Sequence, residues 1–188
     1  MPNMVDTPTI REMLADAAQR LVAAGVDQPR LDARLLLGHA LGDPQAHFHG
    51  REEEVPTEHA RGNFEDLVGR RLRREPVSRI LGTRGFWTLD LEINAASLDP
   101  RPDSETLVEA VLEHSPRREA PLRVLDLGTG TGCLLLSVLA EFPQATGLGI
   151  DISPDCTALA ARNARANGLG DRARFQTGDW IKGLHAIF

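Results

Sequence analysis

The feature of this sequence with the clearest chemical meaning is a run of alternating glycines. Gly128-Thr129-Gly130-Thr131-Gly132 follows the short apolar stretch that ends at Leu127. Glycine lets the backbone turn sharply after a strand, and it lets a ligand approach main-chain atoms without an intervening Cβ. A helix that starts after such a turn offers N–H groups and a positive dipole end, which suit a carboxylate. The pattern predicts a ligand-binding loop, with an unliganded strand-to-helix turn as the alternative.

Two aspartates near this loop indicate which ligand it favours. Asp151 ends the next apolar segment, where a carboxylate can accept hydrogen bonds from both hydroxyls of an adenosine ribose. A nicotinamide-binding fold has similar geometry, but its GxGxxG pattern places the third glycine one residue later. Asp126 stands two residues before the first glycine, where its negative charge would not help to bind a pyrophosphate. S-Adenosylmethionine carries an ammonium and a sulfonium and no phosphate, so we expect it as the cofactor.

A third candidate segment is Gly178-Asp179-Trp180, which follows the next predicted strand. In a sheet of this kind, the carboxyl end of that strand lies beside the adenine of the ligand. Asp179 can accept a hydrogen bond from the adenine amino group, and Trp180 can cover the face of the ring. A loop aspartate and a core tryptophan explain these two residues equally well.

The elements that must position these residues alternate between strand and helix from residue 122 onward. The apolar patterns predict strands at Leu122–Leu127, Thr146–Ile152 and Ala173–Thr177, with helices at Gly132–Phe142 and Pro154–Asn167. Gly168 ends the second of these helices. Strands that alternate with helices imply parallel pairing with right-handed crossovers.

The first eighty residues follow the spacing of short helices. The first helix has a possible capping box at Thr9 and Glu12 and a stop at Gly25. Its apolar face is predicted to comprise Ile10, Met13, Leu14, Ala17, Ala18, Leu21 and Val22. A second helix is expected over Leu31–Leu41, and a third begins near Thr57 with Phe64, Leu67, Val68 and Leu72 inward. Arginines 70, 71, 73 and 74 at the end of the third helix indicate a solvated helix end, with a docking patch for an acidic partner as the alternative.

Residues 84–98 lie between these two regions and have a different residue pattern. Apolar and polar residues alternate from Trp87 to Ile93, which predicts a strand or a hairpin that links two domains. Pro100 and Pro102 then interrupt the chain. Ser104 is placed to cap a helix whose inward residues are Leu107, Val108, Val111 and Leu112.

Composition excludes several classes of protein. Hydrophobic residues make up 41% of the chain and charged residues 26%, as in an ordinary globular protein. The sequence has no run of 18 apolar residues and no signal-peptide pattern, so we expect no membrane span and a cytoplasmic protein with Cys133 and Cys156 as reduced thiols. A net charge of −6 argues against direct nucleic-acid binding. The histidines are scattered, and no metal site is expected.

Several motifs together resemble a known enzyme family. These are Arg30-Leu31-Asp32-Ala33-Arg34-Leu35-Leu36-Leu37, Gly85-Phe86-Trp87, Pro100-Arg101-Pro102-Asp103-Ser104-Glu105, Asp126-Leu127-Gly128-Thr129-Gly130-Thr131-Gly132 and Asp179-Trp180. In order and spacing they are similar to the release-factor glutamine methyltransferases (HemK/PrmC). Many methyltransferases share the glycine motif, whereas the Phe-Trp and PRPxxE elements restrict the resemblance to this family. Asp99 departs from the pattern, because the family usually has an apolar residue there.

The resemblance implies S-adenosylmethionine-dependent methylation of the glutamine side-chain amide in the Gly-Gly-Gln motif of peptide-chain release factors. It implies that Gly128, Thr129, Gly130, Thr131 and Gly132 hold the methionine part of the cofactor, with Asp126 nearby. It also implies that Asp151 holds the ribose and that Trp180 lies at the adenine, where the residue pattern also places Asp179. A release factor is then the protein partner, and the protein is expected to be a monomer.

The expected fold is α/β, with a helical substrate-docking domain at 1–83, a hairpin linker at 84–103 and the first half of a Rossmann-like class I methyltransferase domain at 104–188. The family carries an Asn-Pro-Pro-Tyr motif after its fourth strand, which the sequence to Phe188 does not reach. No catalytic residue is therefore expected within the chain, and we expect residues 1–188 alone to be inactive. The alternatives are another protein or nucleic-acid N-methyltransferase of the same fold, and a non-catalytic module that binds the cofactor or a protein.

Overall fold

A computed structural model of the protein describes residues 7–43, 45–115 and 117–182. Its contacts divide the chain into two compact units, with the boundary between Leu81 and Gly82. The predicted linker at 84–103 lies within the second of these units. Across the described ranges, no helix has the length and apolar character needed to cross a membrane.

The first unit is helical. Its elements are α1 (Ile10–Ala23), α2 (Pro29–Ala40), α3 (Glu58–Leu72) and the short α4 (Val77–Leu81), which the sequence pattern did not predict. The capping box is confirmed, because the Thr9 hydroxyl accepts from the Glu12 amide and the Glu12 carboxylate accepts from the Thr9 amide. Gly25 lies just beyond the helix at a φ of 69°, and the Thr57 side chain caps α3 through the amide of Ala60.

One apolar cluster holds these helices together. The side chains of Ile10, Leu21, Leu36, Leu37, Phe64 and Val68 are almost fully buried at its centre. Val22 was predicted to belong to the same face, and this is wrong, because its side chain is 60% exposed. The stripe of α1 that α2 and α3 cover runs through Leu21, and Val22 lies on its flank.

The basic cluster that ends α3 is not simply solvated. Arg71 donates to the Asp32 carboxylate at 2.7 Å, and both side chains are largely buried. Arg74 donates to the carbonyl of Gly25 at 2.9 Å, which ties the ends of α1 and α3 together. Arg70 pairs with a carboxylate and reaches the carbonyl of residue 80. The prediction of a solvated helix end is therefore wrong for Arg71, whereas Arg74 is exposed as predicted although it is hydrogen-bonded.

The second unit begins with the predicted hairpin. Strands β1 (Thr83–Phe86) and β2 (Leu89–Glu92) pair antiparallel, with Phe86 opposite Leu89. Trp87 and Thr88 form the tight turn, where Trp87 has a φ of 55°. Alternation along β2 buries Leu89 and Leu91, which confirms the predicted period of two.

Helix α5 (Glu105–His114) follows a single 3₁₀ turn at Pro102–Ser104. The expectation that the Ser104 side chain caps this helix is wrong, because it makes no capping hydrogen bond. Ser104 itself has helical φ and ψ angles of −73° and −15°, whereas a capping residue has an extended backbone. Val108 is buried as predicted, but Leu107 is 56% exposed.

A parallel sheet carries the rest of this unit. Its strands β3 (Arg123–Leu127), β4 (Thr146–Asp151) and β5 (Ala173–Thr177) lie in the order β3-β4-β5, joined by helices α6 (Cys133–Glu141) and α7 (Pro154–Ala166). Their bounds lie within one residue of those predicted. The strand–helix alternation is confirmed, and the unit is an α/β fold of the Rossmann-like kind.

A glycine of β4 and an arginine fix α6 against the sheet. A Cβ at Gly147 of β4 would come within 2.4 Å of Leu135, so glycine is what lets α6 pack this close. At the other end of the helix, the Arg172 guanidinium donates to the carbonyls of Leu139, Phe142 and Ala145 at 2.9–3.0 Å. Because α6 is held at both ends, the loop that precedes it has a defined position relative to β4.

Candidate cofactor site

The glycine loop joins the carboxyl end of β3 to the first turn of α6. Its three glycines have φ angles of 80°, 55° and 82°, in the left-handed region that favours glycine. Gly132 is the N-cap residue of α6, and a Cβ there would lie 3.2 Å from both Ala160 and Leu136. The sharp turn predicted from the sequence is therefore present, and α7 packs directly against its end.

The loop presents mainly its backbone to a ligand. The side chains of Thr129 and Thr131 are buried, with 4% and 2% of their surface exposed. The amides of Gly128 and Thr129 both donate to the carbonyl of Ile150 on β4, at 2.8 and 2.9 Å. These two N–H groups thus fix the loop to the sheet.

Asp151 ends β4 beside the loop and is held by two amides. Its Oδ2 accepts from the Gly130 amide at 2.9 Å, and its Oδ1 accepts from the Ser153 amide at 2.9 Å. Each carboxylate oxygen has a second lone pair, so both can still accept from a ligand. The arrangement fixes the direction of the carboxylate before any ligand binds.

Asp126 lies beneath the loop on β3. Its Oδ2 accepts from the Thr129 hydroxyl at 2.7 Å. Burial raises the pKa of this carboxyl above its usual value, and the nearby charge of Asp151 acts in the same direction. The Thr129 hydroxyl and the Leu135 amide at the start of α6 lower the pKa, but not enough to cancel the effect of burial. Asp126 therefore supports the loop through its hydrogen bond with Thr129.

Two depressions flank Asp151 and share Gly128, Asp151 and Ile152. The larger, of about 430 Å³, lies between the glycine loop and the segment 96–101. The smaller, of about 160 Å³, reaches Gly178, Asp179 and Trp180. A ligand with a ribose at Asp151 could extend a group into each depression.

The structure brings Trp180 to the smaller depression and leaves 67% of it exposed. The alternative of a core tryptophan is therefore wrong. Asp179 lines the same depression, and its carboxylate accepts from the Lys182 ammonium.

Comparison with known proteins adds to this geometry. A family described as "PrmC N-terminal domain" matches residues 12–82, and one described as "Methyltransferase domain" matches residues 119–187. The "Release factor glutamine methyltransferase" of Rhodospirillum rubrum is 54% identical over 177 residues, which cover 94% of this chain and 54% of that protein. The protein of the same name from Caulobacter vibrioides is 42% identical, covering 95% of this chain and 61% of its own length.

By sequence, the chain is similar to release factor glutamine methyltransferases. It spans about half to three fifths of the length of these curated relatives. Among solved structures, an S-adenosylmethionine-dependent methyltransferase from Geobacter sulfurreducens in complex with S-adenosyl-L-homocysteine is 37% identical, with a TM-score of 0.35. That match covers 42% of this chain and 30% of the other.

Two exposed apolar residues line the cleft that the sequence did not single out. Ile152 is 75% exposed and borders both depressions, directly after Asp151. Leu98, 82% exposed, lies across the larger depression, next to Arg101 of the PRPxxE element. Ile152 could have been found as an apolar residue next to a strand-end carboxylate, whereas nothing in the local pattern marks Leu98.

Glu105, the last residue of the PRPxxE element, supports the hairpin. Its carboxylate accepts from the Trp87 amide at 2.8 Å, while the Trp87 indole donates to Glu141 at 2.8 Å. The PRPxxE element thus fixes the hairpin turn against the start of α5.

Both cysteines lie in helices beside the larger depression, and neither forms a disulfide. Burial raises the pKa of both thiols, so Cys133 and Cys156 are poor thiolate nucleophiles. In the described ranges, no group of three histidine, cysteine or acidic side chains has the geometry to hold a metal ion.

Proposed function

We propose that the cleft around Asp151 binds S-adenosylmethionine, and that the protein methylates the glutamine amide nitrogen in the Gly-Gly-Gln motif of peptide-chain release factors. The observation that carries the cofactor is the strand-end carboxylate, which two amides fix between two depressions. The substrate rests on the relationship to proteins named release factor glutamine methyltransferase, whose length this chain covers only in part.

The residues at the cleft suit the three parts of the cofactor. Asp151 would accept from the two ribose hydroxyls. Trp180 would cover the adenine in the smaller depression, and Asp179 would accept from its amino group. The backbone of Gly128–Gly132 would hold the methionine part, since Gly128, Gly130 and the threonines between the glycines line the larger depression. Asp126 lines neither depression, and its negative charge would favour the cationic groups of the cofactor at longer range.

When bound, S-adenosylmethionine supplies a methyl group on a positively charged sulfur. An amide nitrogen is a poor nucleophile because its lone pair is delocalised into the carbonyl, so the reaction depends on holding the two groups in line. We assign to the described residues the binding and orientation of the cofactor. None of the described residues is assigned the role of placing the glutamine amide.

Calorimetry on the 188-residue chain tests the cofactor. We expect S-adenosylmethionine and S-adenosylhomocysteine to bind and NADH not to bind. The Asp126 and Asp151 carboxylates would repel a pyrophosphate, whereas they favour the charged groups of S-adenosylmethionine. Binding of NADH in preference to S-adenosylhomocysteine would overturn the assignment.

Transfer of a radiolabelled methyl group tests the reaction. The assay uses a protein of the relatives' length that contains these 188 residues, with intact release factor as the acceptor. We expect label on the release factor and none on a control release factor whose Gly-Gly-Gln glutamine is replaced by alanine. Equal labelling of the two acceptors would contradict the glutamine as the target, and labelling of a nucleic acid instead would favour the alternative methyltransferase.

We further propose that the helical unit docks the release factor and that the protein acts as a cytoplasmic monomer. Its matching residues, 12–82, correspond to a domain described separately from the methyltransferase domain. Deletion of residues 1–81 from the longer protein is expected to impair methylation of intact release factor far more than methylation of a short Gly-Gly-Gln peptide. Equal losses on both acceptors would mean that the unit serves folding rather than docking, and light scattering would test the monomer.

A further inference from the structure

Asn163, in the last turn of α7, has a buried side-chain amide whose oxygen and nitrogen are both hydrogen-bonded. Only 1% of its surface is exposed. Its Oδ1 accepts from the Glu92 amide at 2.7 Å, and its Nδ2 donates to the Glu92 carbonyl at 3.2 Å. The same nitrogen donates to the carbonyl of Thr131 in the glycine loop at 2.9 Å. One side chain therefore connects the edge of the hairpin to the cofactor loop.

Other side chains of α7 hold the same hairpin without reaching the loop. Arg162 makes a two-pronged ion pair with the Glu92 carboxylate at 2.9 Å, which lowers the pKa of that carboxyl. Asn167, one helical turn beyond Asn163, donates to the carbonyl of Asp90 at 2.9 Å. The hairpin is thus attached to α7 at several points, and Asn163 is the attachment that continues to the loop.

The atom that Asn163 holds is well placed to control the site. The Thr131 carbonyl belongs to the residue before Gly132, the N-cap of α6, and its side chain is buried beside α7. Gly130, one residue earlier, donates to the Asp151 carboxylate. A shift of the Thr131 peptide would therefore move both the start of α6 and the partner of the ribose-binding carboxylate.

We propose that Asn163 is a positioning residue for the cofactor, which couples the docked hairpin to the conformation of the glycine loop. This rests on the proposed binding of S-adenosylmethionine at that loop. Asn163 does not line either depression and acts through Thr131. The position of the hairpin thereby sets the affinity of the loop for its ligand.

The test compares Asn163→Ala with Asn167→Ala in the 188-residue chain. Both variants remove an amide that binds a hairpin carbonyl, but only the first also removes the bond to the glycine loop. Calorimetric titration with S-adenosylhomocysteine is expected to show a loss of affinity of about tenfold for Asn163→Ala, as for one or two lost hydrogen bonds. Asn167→Ala should stay within about twofold of the unmodified chain, because it leaves the loop untouched.

A second readout separates positioning from general stability. Hydrogen–deuterium exchange in the unliganded proteins should be faster at residues 128–133 in Asn163→Ala and unchanged there in Asn167→Ala. Asn163→Asp, which has nearly the same size and keeps the acceptor for the Glu92 amide, replaces the donor with an oxygen that faces two carbonyls. It should reproduce the loss of affinity without leaving a cavity.

Three outcomes would overturn the inference. Equal affinities of the Asn163 and Asn167 variants would show that the loop does not depend on Asn163. Failure of both Asn163 variants to fold, while Asn167→Ala folds, would show that the residue serves the stability of the unit. If the unmodified chain binds no S-adenosylhomocysteine, the proposed function fails, and the inference fails with it.

Discussion

The two sides of the cleft at Asp151 are built in different ways. On one side, the glycine loop is fixed by the Ile150 carbonyl, the Asp151 carboxylate and the Asn163 amide, and its threonine side chains are buried. On the other side, Trp180 is two-thirds exposed, and Asp179 is paired with Lys182 three residues later. The first side is part of the packed interior of the unit, whereas the second lies on its surface.

This difference separates two kinds of functional residue. A residue that supports the glycine loop also supports α6, α7 or the sheet, so its replacement changes both folding and binding. A residue on the Trp180 side has few partners within the protein, so its replacement should change binding alone. Measurement of the free energy of unfolding and of ligand affinity on the same variants can therefore test the comparison.

The largest effect is expected at Gly132. A Cβ there would meet Ala160 and Leu136 at 3.2 Å, and the φ of 82° is unfavourable for alanine. Gly132→Ala should lower the free energy of unfolding by about 2–3 kcal/mol, at the upper end of the cost of backbone strain, because close contacts are added. Urea unfolding measures this loss.

Gly168→Ala is the matched control for this variant. Gly168 has a φ of 70°, but a Cβ there would meet no atom within 4 Å. It should lose about 1 kcal/mol, the cost of the backbone conformation alone. Equal losses at the two glycines would show that α7 does not constrain the end of the loop.

The next effect is expected at Asp151, where both sides of the cleft meet. Asp151→Ala should weaken S-adenosylhomocysteine binding by roughly 1–3 kcal/mol, because a charged acceptor of hydrogen bonds is lost. It should also destabilise the fold, since the amides of Gly130 and Ser153 lose their acceptor. Asp155→Ala, an exposed carboxylate in the first turn of α7, is the control for loss of charge. An unchanged dissociation constant for Asp151→Ala would refute its contact with the ribose.

On the buried side of the cleft, Asp126 is expected to make the free energy of unfolding depend on pH. Burial raises the pKa of Asp126 above its value of 3.8 in the unfolded chain. Between these two pKa values the folded state holds a proton that the unfolded state has released, so stability falls as pH rises. The side chain introduced by Asp126→Asn does not titrate. The stability of this variant relative to the unmodified chain should therefore increase as pH rises from 3.8 through the folded pKa.

Urea unfolding over a pH series measures this difference. The amide oxygen introduced by Asp126→Asn can still accept from the Thr129 hydroxyl, so the variant changes the charge and leaves that contact in place. Asp179→Asn, on the surface side, is the matched control for loss of one negative charge. A pH-independent difference between Asp126→Asn and the unmodified chain would show that Asp126 titrates alike in both states.

The glycine loop and the sheet could be predicted because their signals are local. Apolar periodicity marks each strand and helix, and a glycine follows β3, β5 and α7, so the bounds of β3 to β5 agree within one residue. Asp126 and Asp151 were found for the same reason, since their places follow from the strand ends. The sequence did not decide whether Trp180 is buried or exposed, because a tryptophan after a strand can lie in the core or on the surface.

Contacts between distant residues could not be predicted. Asn163 looks like any polar residue in a helix, and its partners Glu92 and Thr131 lie 71 and 32 residues away in sequence. Ser104 was misinterpreted because a serine before a helix usually caps it, whereas here the proline before it begins a 3₁₀ turn. In both cases tertiary packing decides the role, and a local pattern does not record it.

The smallest effect on stability, with a clear effect on binding, is expected at Trp180. Its side chain is 67% exposed, so Trp180→Ala should change the free energy of unfolding by no more than about 0.5 kcal/mol. Affinity for S-adenosylhomocysteine should fall by about 0.5–1.5 kcal/mol, as for the loss of one stacked aromatic pair. Ile181, 65% exposed and outside the lining of the depression, provides the control. Ile181→Ala should change neither quantity. If Trp180→Ala instead lowers stability as much as Gly132→Ala and leaves affinity unchanged, the surface side of the cleft is structural, and the contrast between the two sides is wrong.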